Sequence, residues 1–276
     1  MATSAAMIQY RKEQVAEFEE GMSWLRQTTV QEAMISGNQA TFLVAGAQGE
    51  TADTRGINGL IPAHPLNLTQ NTATLTEWQY LKRVTEFNIF QSQGNLRRQL
   101  QMDTRKVLNR RIDQDIIDAM DGATTNLGAA QTASLSLVQK ALVTLGENEV
   151  PVEEEDNMWA VVTDAFWGYL GQIPEWISAD YVDIKPLTGP VKRVKRCWGV
   201  NWIRHHALTG KGTNSEQCFM FHRDAVGSAF DMDNLQVAAG YDEEQDYSWA
   251  RARSFTGAVL LQQNGIVQML HDASSI

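Results

Sequence analysis

The chain has 276 residues, of which 43% are hydrophobic and 20% charged, and this composition is typical of a globular protein rather than a disordered one. A formal net charge of −10 argues against a surface built chiefly to grip the phosphate backbone of nucleic acids. The two cysteines, Cys197 and Cys218, fit a reducing compartment and do not indicate a disulfide framework. Residues 1–30 lack the apolar core of a signal peptide, and no stretch approaches the roughly 20 apolar residues that cross a bilayer.

The first part of the chain combines a predicted helix with a long stretch that has no helical pattern. Apolar residues on one side predict a short amphipathic helix over residues 8–27. Residues 36–76 mix Gly and Pro with Thr, Asn and Gln, show no core-forming pattern, and far exceed a usual loop of about 4–6 residues. We interpret this stretch as a long hairpin that orders against partners. Residues 75–90 then suit a strand or a short helix.

Apolar residues at almost every fourth position predict a long amphipathic helix over residues 95–121. The row consists of Leu96, Leu100, Leu108, Ile112, Ile116 and Met120, interrupted by Thr104. Gly122 follows where a left-handed C-terminal cap residue is expected.

The charges of this helix oppose its dipole, because cations cluster in its first part and aspartates at its end. These aspartates are Asp113, Asp115, Asp118 and Asp121. From the helix alone, a solvated face is the favoured interpretation, since exposed charges usually contribute little. The alternative is that the charges meet partners elsewhere in the fold or on another subunit.

Shorter elements follow the long helix. Apolar spacing predicts a helix over residues 134–147, with Ser134 as its N-cap. A short buried strand is predicted over residues 159–162, after which Asp164 is expected to cap a helix over residues 166–170.

The last third of the chain is rich in strand formers. Strands are predicted over residues 191–207, 217–221 and 247–261, and a short helix over residues 225–229. In the last of these strands, one face is expected to hold Tyr247, Trp249, Arg251, Arg253 and Phe255, and the other Ala250, Ala252 and Ser254. Residues 263–265 read as a hairpin turn with a returning strand after it. Because helices and strands interleave without βαβ regularity, the predicted fold class is α+β.

The sequence contains no catalytic constellation of quality. It has no glycine-rich phosphate loop, nucleophile elbow or zinc-type pair of CxxC motifs. His205, His206 and the Cys218–His222 pair do not converge if they lie on strands, so we expect structural roles for them. Asp115 and Asp118 suit a solvated face better than a cation site. We therefore predict no enzyme activity, no cofactor and no metal.

Two other features allow both a structural and an interface role. The basic strand over residues 191–196 suits phosphate contact or the rim of a subunit interface. Tryptophans are frequent, and they suit core packing or anchoring at a large interface. These tryptophans are Trp159, Trp167, Trp176, Trp198, Trp202 and Trp249.

Four segments, taken in their order along the chain, resemble the major capsid proteins of tailed double-stranded DNA phages. These segments are residues 108–119, 198–204, 218–227 and 247–270. The first resembles the spine helix of that family and the second the strand before its apical hairpin. The third resembles the next strand and helix, and the last the closing strands of the peripheral domain. No single motif is diagnostic, so the evidence is their order of appearance.

The resemblance implies the α+β phage major-capsid fold, with an N-terminal arm, an extended β-hairpin loop, a peripheral domain with a long spine helix, and an axial domain. The implied boundaries are an arm over residues 1–40, a loop over 41–85, a peripheral domain over 86–122 and 241–276, and an axial domain over 123–240.

The resemblance also implies self-assembly into an icosahedral shell that encloses packaged phage DNA through non-covalent contacts. The implied partners are other copies in pentamers and hexamers, and portal, scaffolding and cement proteins. DNA would be enclosed without sequence-specific binding, no membrane would be involved, and the virion would be assembled in the host cytoplasm. The acidic balance suits a wall that faces packed DNA.

Inter-subunit contacts are expected from the surplus of aromatic and basic residues. The expected contact residues are Arg55, Glu77, Trp78, Lys82, Arg97, Arg98, Arg251 and Arg253. Two alternatives stay open at this point, an encapsulin-like cellular nanocompartment with the same fold and a soluble enzyme with an unrecognised site.

Some capsid relatives weld neighbouring subunits by a Lys–Asn isopeptide bond from the extended loop. Residues 41–81 of this chain contain no lysine, and Lys82 is the first one after that stretch. We therefore expect no covalent cross-linking of this kind between subunits. A denaturing gel of mature particles should show the monomer band, and a ladder of covalent multimers alone would contradict the prediction.

Overall fold

The computed structural model describes residues 22–31, 34–46, 50–55, 59, 61, 63–64, 66–85, 96–174, 194–230 and 236–274, with the side chains of 96–101 and 236–237 left out. The helices are α1 (Leu96–Met120), α2 (Leu135–Glu147) and α3 (Asp164–Leu170). The strands are β1 (Met34–Ser36), β2 (Gln39–Ala45), β3 (Leu68–Thr74), β4 (Thr76–Thr85), β5 (Met158–Val162), β6 (Val194–Cys197), β7 (Val200–Arg204), β8 (Glu216–His222), β9 (Val226–Phe230), β10 (Gln236–Asp242), β11 (Tyr247–Leu260) and β12 (Ile266–His271). This mixture confirms the α+β class.

The strands of the described residues form three sheets. The five-stranded sheet has the order β12-β8-β5-β7-β6, in which β5 and β7 are parallel and the other neighbours antiparallel. In the four-stranded sheet, the long strand β11 pairs antiparallel with β4, β10 and β9. The three-stranded sheet, β1-β2-β3, is antiparallel and forms the base of the predicted hairpin.

The five-stranded sheet is buried on both faces, which explains why its strands are nearly continuous apolar runs. On β8, Cys218 and Met220 pack into a cluster with α2 and α3. Phe219 and Phe221 alternate with them and join a second cluster with Ile116 and other residues of α1. The C-terminal half of α1 therefore packs on the five-stranded sheet as well as contacting the four-stranded one.

The structure confirms α1 and its four-residue row. The described members of the row are all buried, namely Leu108, Ile112, Ile116 and Met120, and Thr104, which interrupts the row, is buried as well. The predicted left-handed cap at Gly122 is wrong, since its φ is not positive. Instead, the N–H groups of Gly122 and Ala123 donate to the carbonyls of Ala119 and Met120 at 3.3 and 2.9 Å, so the helix ends in a tight turn.

The caps of the two shorter helices follow the expected chemistry. Ser134 Oγ accepts a hydrogen bond from the N–H of Leu137 at 3.3 Å, which confirms the predicted cap of α2. The predicted cap of α3 is wrong by one residue. Thr163 Oγ1, rather than Asp164, accepts the bond from the N–H of Phe166 at 3.2 Å, and Asp164 is the first helical residue.

The single strand predicted over residues 191–207 is wrong. Its described part is a hairpin of β6 and β7, turned by Trp198 and Gly199 with φ angles of 52° and 72°. Positive φ at both positions is the geometry of a tight hairpin turn, in which Asn-Gly is the usual pair. Trp-Gly is an unusual sequence for it, and residues 191–193 lie outside the described residues.

Two predictions near the C-terminus are also wrong. The helix predicted over residues 225–229 is a 3₁₀ turn at Arg223–Ala225 followed by strand β9, which gains β11 as a partner. Residues 263–265 do not close a hairpin, because β11 and β12 belong to different sheets. They form a 3₁₀ turn that carries the chain from one sheet to the other.

The N-terminal predictions are partly tested. The helix over residues 8–27 falls mostly outside the described residues, and its described end is a 3₁₀ turn at Leu25–Thr28. Pairing of β2 with β3 confirms a hairpin within residues 36–76, and β4 gives the strand predicted within residues 75–90.

The expectation that this hairpin has no core is wrong at its base. Ala40, Phe42 and Ala73 are buried there against Ala229 of β9. The Phe42 ring lies so close to Gly227 that an added Cβ on that glycine would be 2.9 Å from it. Beyond the base, the described residues from 50 to 67 are exposed.

Helix α2 ends in a Schellman motif with an unusual residue. The N–H of Val150 donates to Leu145 O at 3.1 Å, and the N–H of Glu149 donates to Gly146 O at 3.0 Å. Glu149 holds the left-handed position with φ 59°, where glycine is favoured because a side chain costs about 1 kcal/mol.

We expect Glu149→Gly to raise the free energy of unfolding by about 0.5–1 kcal/mol, since it removes this penalty. Thermal or denaturant unfolding measures the change. Glu153→Gly, in an exposed turn without positive φ, is the control and should be neutral or destabilising. Equal effects of both changes would contradict the prediction.

Candidate functional site

Helix α1 covers one face of the four-stranded sheet. Along residues 247–256 of the long strand β11, half-buried and buried positions alternate, and the buried positions are Ser248, Ala250, Ala252, Ser254 and Thr256. These small side chains leave room for the helix to lie close to the strand. One face of the sheet is therefore covered by α1, and the other is not.

Aspartates of α1 bind the covered face. Lys82 Nζ of β4 lies 3.1 Å from Asp103 Oδ2. Trp78 Nε1 donates to Asp115 Oδ2 at 3.2 Å, and the hydroxyl of Thr256 donates to the same oxygen.

Arg111 completes this cluster from within the helix. Its guanidinium binds Asp115 Oδ1 at 2.7 Å and lies 4.0 Å above the ring centre of Trp78. One carboxylate therefore joins α1 to β4 and β11, and an arginine–aromatic contact covers the junction.

The favoured prediction of a solvated acidic face is wrong for Asp113 and Asp115 and correct for Asp118. Asp113 is only 2% exposed, whereas 53% of the Asp118 side chain is exposed. Asp121 accepts a hydrogen bond from Thr209 Oγ1 at 2.6 Å, and burial raises its pKa while that bond lowers it. The alternative, partners elsewhere in the fold, therefore accounts for Asp113, Asp115 and Asp121.

The opposite side of the sheet is what we call the open sheet face. Its members are residues of β4 and β11 that lie directly opposite each other, and their side chains point to the same side of the sheet. The pairs are Glu77 with Phe255, Gln79 with Arg253, Leu81 with Arg251, Arg83 with Trp249, and Thr85 with Tyr247. All five β4 members are exposed, and Leu81 is 44% exposed.

Arginine and aromatic side chains dominate the open sheet face. The Arg83 guanidinium lies 5.0 Å from the ring centre of Tyr247, and that of Arg253 lies 5.6 Å from Phe255. The Trp249 ring lies over Gly240 of β10, where an added Cβ would be 2.8 Å away. Arginine and aromatic residues are the types most enriched at the centres of protein interfaces.

Comparison with known proteins identifies the family. A family model described as "Phage capsid protein" matches residues 2–273. The chain belongs to this phage capsid protein family. Its role is accordingly structural, as a protein that forms the capsid shell. No curated protein sequence matches the chain.

Solved structures of phages and of a GTA particle share the fold of this capsid protein at low sequence identity. The capsid of cyanophage P-SCSP1u is 12% identical with a TM-score of 0.71, covering 95% of this chain and 91% of that chain. Mycobacterium phage Che8 gives 18% identity, a TM-score of 0.71 and 94% coverage of both chains. The capsid of a native GTA particle gives 13% identity, a TM-score of 0.70 and 99% coverage of both chains.

The predicted contact residues of the capsid protein fall in different places. Glu77, Arg251 and Arg253 lie on the open sheet face, and Arg55 is exposed in the loop. Trp78 and Lys82 lie on the covered face and bind aspartates of α1. Arg97 and Arg98 lie in the first turn of α1, and their side chains are outside the described residues.

Sequence reasoning missed other members of the open sheet face. These are the β4 residues Gln79, Leu81, Arg83 and Thr85. The alternation along β11 was visible in the sequence, but the cross-strand register that brings β4 beside it was not.

The described residues provide neither a reactive thiol nor a cluster of metal-binding side chains. Burial raises the pKa of the Cys218 thiol to about 12, so the thiol remains protonated and unreactive at neutral pH. Within the described part of the chain, no three His, Cys, Asp or Glu side chains are placed to hold a metal ion. Among the helices of that part, none has the length and apolarity needed to cross a bilayer.

The basic strand expected at phosphate or at an interface is partly neutralised within the chain. On its described part, Arg196 binds Glu155 at 3.2 Å and also Asp156 of the exposed acidic turn. Burial lowers the pKa of Lys195 beside it.

We expect Trp78→Phe to lower the free energy of unfolding of the isolated chain by about 1 kcal/mol. The change keeps an aromatic ring but removes the hydrogen bond to the half-buried Asp115 carboxylate. Trp249→Phe makes the same change on the open sheet face, where no buried carboxylate depends on the indole N–H. It should lower the free energy of unfolding by less than about 0.5 kcal/mol. Equal losses in denaturant unfolding would contradict the assignment of Trp78 to the intrachain junction.

Proposed function

We propose that copies of this capsid protein join through non-covalent contacts centred on the open sheet face, forming the pentamers and hexamers of an icosahedral shell. Support comes from the chemistry of that face. Its central members combine a half-exposed leucine with Trp249, Arg83, Arg251 and Arg253. This composition is typical of the residues that anchor protein interfaces. The opposite face of the same sheet already binds α1 through Trp78 and Lys82.

The charge of the chain favours a partner surface of the same kind of protein. A chain with net charge −10 carries a surplus of carboxylates for the three arginines of the open sheet face to meet on a neighbouring copy. Such a contact joins two different surfaces and is heterologous, so repetition around an axis closes a ring. Many such weak contacts make a strong shell through multivalency.

The hairpin supplies a second proposed contact. Leu43, Ile61, Leu66 and Leu68 are 62%, 68%, 79% and 54% exposed, which is unusual for leucine and isoleucine on one projecting segment. Asn67 Nδ2 donates to Glu50 Oε1 at 2.9 Å, and His64 lies 2.9 Å from Asp53, so polar pairs hold the two sides of the loop together. We propose that this loop lies over a neighbouring subunit.

The remaining assignments extend this proposal. An arm over residues 1–40, a loop over 41–85, a peripheral domain over 86–122 and 241–276, and an axial domain over 123–240 are the proposed divisions. The shell would enclose double-stranded DNA without sequence-specific binding and have no catalytic role. Portal, scaffolding and cement proteins are the further proposed partners, with assembly in the host cytoplasm.

Removing two arginines from the open sheet face tests the proposal. We expect Arg251→Ala with Arg253→Ala to leave the chain folded but to raise at least tenfold the concentration needed for assembly, because interface arginines often contribute more than about 1.4 kcal/mol. Sedimentation and negative-stain microscopy measure particles under conditions in which the unmodified chain assembles, and circular dichroism measures folding.

Lys140→Ala is the matched control, since it removes an exposed cation from α2, far along the chain from the open sheet face. It should assemble like the unmodified chain. Normal assembly of the double variant at the same concentration would contradict the proposed interface.

A further inference from the structure

The Asp113 carboxylate lies at a junction of three chain segments. It is buried in the middle of α1 and accepts four hydrogen bonds, two on each oxygen. Ser23 Oγ and the N–H of Leu25 donate to Oδ1 at 2.5 and 3.3 Å. The N–H of Trp24 and Nε2 of His205 donate to Oδ2, both at 3.2 Å. Three of the four donors therefore come from consecutive residues before α1.

The hydrogen bonds of His205 define its tautomer. Its Nδ1 accepts the backbone N–H of Ala207 at 3.2 Å and so carries no proton. The proton of the neutral ring is then on Nε2, which donates it to Asp113. A carboxylate this deeply buried is tolerated only when donors surround it in this way.

The segment before α1 has a second, separate attachment. Val30 forms a backbone bridge to β9, with its N–H 3.0 Å from Val226 O and its carbonyl 2.9 Å from the N–H of Ser228. Thr29 Oγ1 lies 2.6 Å from Ser228 Oγ. At the first attachment, the side chain of Leu25 is fully buried in the cluster that contains Ile116 of α1.

We propose that Asp113 is a latch that holds residues 22–26 on α1 and the segment after β7, and whose loss releases these residues while the bridge at Val30 and the three sheets stay folded. The arrangement favours selective release, because the polar anchors of residues 23–25 converge on a single carboxylate rather than on a sheet. The device operates within one chain, so it is independent of where the subunit contacts lie.

Hydrogen exchange of Asp113→Asn tests the latch. The amide keeps the shape of the carboxylate but has one accepting oxygen and presents its own donors to the four donors around it. We expect the backbone N–H groups of Trp24 and Leu25 to exchange at least about tenfold faster, as hydrogen bonds to a charged group are strong. Amides of α2 and β5 should change less than about twofold.

Asp118→Asn is the matched control, because it makes the same change on the same helix at an exposed position. It should leave exchange at Trp24 and Leu25 unchanged. Unchanged exchange there in Asp113→Asn, or equal acceleration throughout the chain, would overturn the proposal.

A second variant keeps the test valid if Asp113→Asn does not fold. Ser23→Ala removes one of the four donors and leaves the carboxylate in place. We expect a smaller acceleration of about threefold, confined to residues 22–26. No acceleration in this variant would also overturn the latch.

Discussion

The donors gathered around the aspartates of α1 are the interaction on which the rest of the structure depends. Asp103 and Asp115 attach the helix to β4 and β11, and Asp113 attaches it to the N-terminal segment and to the loop after β7. With these carboxylates bound, the helix seals one face of the four-stranded sheet and its C-terminal half packs on the five-stranded one. The other face of the four-stranded sheet is not covered by α1, and it carries the proposed subunit contacts.

This arrangement also explains why the charges of α1 oppose its dipole. The unfavourable dipole interaction costs at most about 1 kcal/mol for each exposed charge. Hydrogen bonds to a buried carboxylate contribute more than that, and an unpaired one would cost several kcal/mol. Tertiary donors therefore outweigh the local electrostatics of the helix.

Features with a strong local period could be predicted from the sequence. The four-residue row of α1 and the two-residue alternation of β11 are of this kind, and both are confirmed. Features that depend on distant partners could not. The stretch after Ala225 becomes strand β9 because β11 offers it an edge, and Gln263–Gly265 joins two sheets rather than two paired strands.

The candidate interface shows the same division. Trp78 and Lys82 belong to residue types common at interfaces, yet they lie on the face that α1 covers. Their neighbours Gln79, Leu81 and Arg83 point the other way, and only the register with β11 reveals that they share a face with Arg251 and Arg253. Because successive residues of a strand point to opposite faces, a residue that contacts α1 is followed directly by one on the open sheet face.

An electron cryo-microscopy reconstruction of the assembled shell tests the central claim most directly. The account predicts that a neighbouring subunit covers the open sheet face, with its carboxylates within about 4 Å of the guanidinium groups of Arg251 and Arg253. A shell in which that face meets only solvent, while subunits join elsewhere, would contradict it.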